Sequence, residues 1–291
     1  MMNNKEIRRK AMERLNYYWV ESVFLYIILF CGVSITELVQ MMYIPIKYPE
    51  LRQMENPDIF SILKFLSENK SVFIILLCSV FVCFILITPM YYGIKWCFFQ
   101  AAQWKPAPVS GAFYAYYSPS KWLKTLAINV KLFVNKLVYA VPSAAICFAA
   151  YIISEILKDG TGELARFFVN IGLAVVFAGS VMIYMSLTVK FDLVVYVYAD
   201  QPDSSISAIF SRGVAAAEKS RWRYGGLKIW FLPLLLVSTA GFPSIVIIPM
   251  YWMVKSIGAV QIIKGGFADK EEFIRDVMPE EAKESAMAIE N

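Results

Sequence analysis

The sequence predicts an all-α fold, a polytopic membrane helical bundle of about six transmembrane helices with amphipathic helices at its cytoplasmic face. Three observations carry this expectation. Of 291 residues, 58% are hydrophobic and 18% charged, with a mean hydropathy of +0.54; a soluble domain is about 45–50% apolar and about 25% charged. No Asp or Glu occurs between Glu68 and Glu155. Charge-free runs of about 20 residues recur, enough to cross roughly 30 Å of hydrocarbon.

Residues 1–18 read as a basic amphipathic helix, with Ile7, Ala11, Leu15 and Tyr18 on one face and Arg8, Arg9 and Arg14 elsewhere. Such a segment either lies at the headgroup level or leads, solvated, into the first span. No cleavable signal peptide is expected, because the first apolar run is long and lacks a small-residue cleavage site. A single transmembrane domain follows over 19–264, with spans at about 19–44, 71–99, 130–154, 167–198, 227–241 and 243–263, and a polar cytoplasmic tail over 265–291.

Pro89 and Gly93 are expected to kink the second span, Pro by removing a backbone donor and Gly by loosening the turn. Lys121, Lys124, Lys131 and Lys136 stud an amphipathic approach to the third. The last apolar block, Ile229 to Ile263, carries one charge, Lys255. As one helix it would extend about 52 Å, too long for a single crossing, so a turn is expected at Ser238 to Pro243. Residues 203–222 read as a cytoplasmic helix capped by Asp203 or Ser204 and closed by Lys219, Arg221 and Arg223.

Charge sets the orientation. Segments 1–18 and 95–136 hold Lys and Arg in excess, and 190–228 is also basic, whereas 45–70 balances four bases with four acids. The positive-inside rule then places both termini in the cytoplasm, with an even number of spans.

The pattern resembles a bacterial integral membrane family, domain of unknown function number nine hundred seventy-five. The resemblance rests on Arg8-Arg9-Lys10-Ala11, on Pro89-x-x-x-Gly93 ahead of Ala112-Phe113-Tyr114, and on Asp200-x-Pro202 before a serine-rich helix with Ala208-Ile209 and Ser211. A late Gly241 followed by Pro249-Met250-Tyr251 completes it, although the family pattern has an aromatic directly after the proline, and the polar insert 45–70 is unusual. The resemblance implies a bacterial cytoplasmic membrane and about six spans. It brings no activity.

Chemical motifs are scarce. There is no His, no Gly-x-Ser-x-Gly elbow, no phosphate-cradling glycine loop and no C-x-x-C pair. Neither catalytic residue, metal site nor cofactor is expected, and the charge pattern does not suit nucleic acid. Asp200-Gln201-Pro202-Asp203 could hold a cation, but a turn before a capped helix explains it more simply.

Ionisable residues at membrane depth are the candidates, since burying them costs about 2.5–3.5 kcal/mol or more. They are Lys190, Asp192, Lys255 and Glu37. Lys255 either pairs with Glu37, faces a polar cavity with Asn129 or Asn170, or snorkels to the inner interface. Lys190 and Asp192 read as an interfacial anchor or the gate of a polar pathway. Tyr17, Tyr18, Trp19, Tyr91, Tyr92, Trp104, Tyr117, Trp222 and Tyr224 read as part of an interfacial belt.

The function expected from these features is non-enzymatic: assembly at the cytoplasmic face with anionic headgroups, another membrane protein or a second copy. The alternative is a small-solute or lipid transporter or permease component, suggested by helix breaks at Pro89, Pro142 and Gly241–Pro243. A membrane enzyme acting on a lipid-linked substrate is the third reading.

Overall fold

A computed structural model describes residues 4–47, 65, 67–158, 162–218, 220–238 and 243–264. These are all-helical, without a strand among the described residues. The helices are α1 (Asn4–Tyr17), α2 (Trp19–Lys47), α3 (Lys70–Ala101), α4 (Pro119–Lys158), α5 (Glu163–Thr188), α6 (Val194–Asp200), α7 (Ile206–Glu218), α8 (Arg221–Ser238) and α9 (Ser244–Lys264). Short 3-10 segments at Val109–Tyr117 and Val189–Phe191 join α3 to α4 and α5 to α6.

Among the described residues, four helices are long and apolar enough to cross a membrane: Lys70–Ala101, Pro119–Ser154, Phe167–Asp200 and Ser244–Lys264. A fifth is added if α1 and the first part of α2, bent by 89° to each other, form one broken span. Helix α8 falls outside this set. It opens with Arg221 and Arg223 and carries Lys228, so its apolar stretch is short.

Apolar side chains divide into two populations. Phe73, Leu77, Phe81, Val138, Phe148, Val175 and Ile183 are exposed along the outer stretches of α3, α4 and α5, as a lipid-facing surface requires. Toward the lysine-rich end, the second half of α3 disappears into a packed body. One core joins α1, α3, α8 and α9 around Ile7, Leu15, Ile94, Phe98, Leu227, Met253 and Ile257. A second joins α3, α4, α6 and α7 around Tyr92, Ile128, Phe191, Tyr198 and Ile209.

Several local expectations change on contact with neighbours. Helix α1 buries Ile7, Ala11, Leu15 and even Arg14, and packs on α9. Its apolar face is therefore covered by protein, neither headgroups nor water. Pro89 and Pro142 lie inside continuous helices. Gly93 serves close approach: a Cβ there would sit 2.1 Å from the Ala112 carbonyl oxygen, so only glycine admits the 3-10 segment against α3. The chain leaves α3 through a Schellman closure, Trp104 N–H to Ala101 O at 3.1 Å and Lys105 N–H to Gln100 O at 3.0 Å. Trp104 takes the left-handed conformation there, with φ 57°.

The helix expected over 203–222 is shorter. It begins at Ile206, where the Ser205 hydroxyl accepts the Ala208 N–H at 3.3 Å, and ends at Glu218. Arg221 and Arg223 open α8 instead of closing this helix. Helix α8 ends at Ser238 and α9 starts at Ser244; Gly241, within the expected turn, lies outside the described residues.

Candidate functional site

An apolar strip runs in sequence from α5 into α6, but the 3-10 turn Val189–Phe191 interrupts it. A 3-10 turn rotates the residues after it off the α-helical register. Here it carries Asp192 into a cavity of about 440 Å³ where the two cores meet. Helix α3 supplies Tyr91 and Lys95 to its wall, α4 Asn129 and Lys136, α8 Lys228, and α9 Tyr251, Trp252 and Lys255.

Asp192 is the hub of the charges. Lys255 donates to Oδ2 at 2.8 Å, Lys228 lies 3.5 Å from the same oxygen, and Lys136 lies 3.5 Å from Oδ1. The Asp192 and Lys255 side chains are only 11% and 7% exposed, so this contact is largely shielded from solvent. The Lys255 ammonium also lies 4.2 Å from the centre of the Tyr224 ring. Aromatic faces attract cations through their quadrupole, and more strongly once water is excluded.

Lys95 is the fourth lysine, and it is 4% exposed. Its ammonium lies 4.4 Å from the Trp252 ring centre and 5.2 Å from that of Tyr91. Among the described residues it has neither an ion pair nor a hydrogen bond. Four lysines thus face a single carboxylate in the cavity wall. Tyrosine hydroxyls of Tyr91, Tyr196 and Tyr251 and the Asn129 amide add neutral polar groups, with Asn129 donating to Thr88 Oγ1 at 3.1 Å.

The structure brings together Asp192 and Lys255 and leaves Lys190 apart. Lys255 pairs with Asp192; Glu37 lies on α2, and its side chain is outside the described set. Lys190, two residues from Asp192, turns away and donates to the Tyr139 hydroxyl at 2.7 Å, its ammonium 4.4 Å from that ring centre. Asp200 pairs with Lys264 at 3.0 Å, and Lys264 also donates to Gln103 Oε1 at 2.8 Å. Lys124 donates to the Pro202 carbonyl at 2.7 Å and to the Ser204 carbonyl at 3.2 Å, so an ammonium fills the place considered for a cation. Ser211 is exposed and bonds back to the Ala208 carbonyl, and Pro249 is buried within α9.

Lys95, Lys136 and Lys228 are the residues that sequence reasoning missed as site members. Three of the four cavity lysines follow a tyrosine by four residues: Tyr91–Lys95, Tyr224–Lys228 and Tyr251–Lys255. On a helix this spacing puts ring and ammonium on one face. The same spacing at Tyr117–Lys121, where Lys121 instead meets Tyr114, shows that it is no sufficient signal. The aromatic belt also divides: Trp222 and Tyr117 are 83% and 68% exposed, while Tyr92 and Tyr224 belong to the interior.

No group of three or more metal-ligating His, Cys, Asp or Glu side chains forms among the described residues. Comparison with known proteins finds no matching family model, no matching curated protein and no matching solved structure.

Proposed function

We propose that this chain is a multi-pass protein of the bacterial cytoplasmic membrane that binds an anion in its lysine cavity, acting as a non-enzymatic binding or permease component. The observation that carries the proposal is Lys95, a buried ammonium with no carboxylate of its own, in a cavity where three other lysines share Asp192. Charge at that depth is costly unless paired. An oxyanion between Lys95 and Lys255 favours the charged form of both amines and accepts charge-assisted hydrogen bonds from them.

The proposal includes about six spans with both termini in the cytoplasm, which puts the cavity toward the inner boundary of the membrane. Membership of the resembled family is part of the same reading. Assembly through the basic amphipathic helices is less well supported, because the apolar faces of α1 and α7 are already spent on the fold.

The test is thermal unfolding of the purified full chain in a mild nonionic detergent, at constant ionic strength, with phosphate or chloride. Phosphate should raise the midpoint by several degrees, since a ligand bound only to the folded state stabilises it by mass action. Lys95→Met should abolish that rise. Equal midpoints in both salts, or an undiminished rise in Lys95→Met, would defeat the proposal.

A further inference from the structure

A second concavity lies on the other side of the 3-10 turn. It is a groove of about 580 Å³ between α5 and α8, walled by Phe177, Met182, Met185, Ile229, Leu232 and Pro233 among others. Val189 lines the groove and Phe191 and Asp192 line the cavity, so the turn borders both. Lys228 is common to both walls and, among the described residues, is the groove's single charged lining residue. Its ammonium stands 3.5 Å from Asp192 on the cavity side.

Resting on the anion-binding reading above, we infer that the ligand is an anionic glycerophospholipid, its phosphate among the cavity lysines and one acyl chain along the α5–α8 groove. Charge and shape agree on this occupant. The polar compartment sets four lysines against one carboxylate, the adjoining compartment is apolar, and Lys228 marks the junction where a headgroup becomes a chain. Basic pockets between membrane helices on the cytoplasmic side are suited to lipid phosphates.

Length agrees as well. From Phe177 to Val189 the α5 wall rises roughly 18 Å, close to one leaflet's share of a hydrocarbon core of about 30 Å. Gly225 lies on the α8 wall, where a Cβ would make ordinary van der Waals contact with Val189 Cγ2 at 3.5 Å. The groove is accessible from the lipid-facing side, for Phe177, Met182 and Ile229 are 60%, 56% and 51% exposed.

The experiment is a titration of the full chain in nonionic detergent, read by native mass spectrometry and calorimetry. The probes are inorganic phosphate, glycerol 3-phosphate, dioctanoyl phosphatidic acid and dioctanoyl phosphatidylcholine. The phosphatidic acid should bind at least about tenfold more tightly than glycerol 3-phosphate, since each buried methylene contributes roughly fourfold, and phosphatidylcholine should not compete. Ala178→Phe with Gly225→Leu fills the groove with apolar side chains. It should bind glycerol 3-phosphate as the parent does and lose at least about tenfold in affinity for phosphatidic acid. Ala178→Phe alone, which adds bulk on an exposed helix face, serves if the double variant does not fold.

Equal affinity for phosphatidic acid and glycerol 3-phosphate, or no effect of filling the groove, overturns the lipid inference and leaves the anion reading standing. Phosphatidylcholine binding as well as phosphatidic acid means annular lipid only, and overturns it too. If no phosphate-bearing probe binds, the anion reading itself fails.

Discussion

Helices α5 and α9 are both apolar enough to span a membrane, yet their surroundings are opposite. In the most apolar 18-residue stretch of each span, 6% of the residues are buried within the protein for the span containing α5, against 61% for α9. Helix α5 packs mainly along α4, while α9 touches α1, α2, α3, α6, α7 and α8. Lipid and protein interior are equally acceptable solvents for Leu, Ile and Phe, so apolarity alone cannot assign a helix to either. The difference lies in what polar groups each helix can tolerate. Helix α9 carries Lys255, which finds Asp192 and the Tyr224 ring inside the packed body; an unpaired charge on the exposed faces of α5 would meet hydrocarbon.

Helix α3 repeats the contrast within one element. Its first half exposes Phe73, Ile74, Leu77, Val80 and Phe81, and its second half buries nearly everything from Thr88 to Ala101, Lys95 included.

Five substitutions sharpen this comparison. Asp192→Ala should cost the most, about 3–5 kcal/mol, because three lysines lose a shared and largely buried counter-ion. Unfolding in detergent measures it, and added phosphate should recover part of the loss; a cost below about 1 kcal/mol, the range of exposed pairs, would mean that the cavity is hydrated like a surface. Ile257→Ala, at a fully buried position of α9, should cost about 2–5 kcal/mol through the cavity it leaves. The matching change Ile183→Ala, on a residue 51% exposed in α5, should stay within about 0.5 kcal/mol. Comparable losses at the two positions would break the contrast between the helices.

Gly93→Ala should cost about 1–3 kcal/mol by overpacking the 3-10 segment against α3. Separation of that segment would show as faster proteolysis near Ala112; wild-type stability would mean the approach is looser than 2.1 Å implies. The last is Gly179→Ala in α5, where a Cβ meets nothing within 4 Å. It should be neutral or stabilise by up to about 1 kcal/mol through helix propensity, and a measurable loss would reveal a close partner on that face.

Much of the helical layout was legible from local chemistry. The apolar runs on α3, α4, α5 and α9, the helical character of residues 4–17, and separate helices on either side of residues 239–242 all follow from composition, periodicity and breakers. Lys255 and Asp192 could be singled out because each is an ionisable group in an apolar run. Their partnership could not, for 63 residues separate them. Lys95 and Lys136 looked like part of a solvated basic loop, because nothing in their own neighbourhood announces the α8 and α9 side chains they face.

The sequence by itself determined what each segment tolerates as solvent. Hydrophobicity and helix propensity add residue by residue, so a window of one chain suffices to read them. The tertiary structure alone decided which apolar faces stay exposed and which meet protein, that α1 docks on α9, and that four lysines converge on one carboxylate. Those outcomes depend on distances between segments remote in sequence. Electrostatic and packing energies change steeply over a few ångströms, and spacing along the chain does not encode such distances.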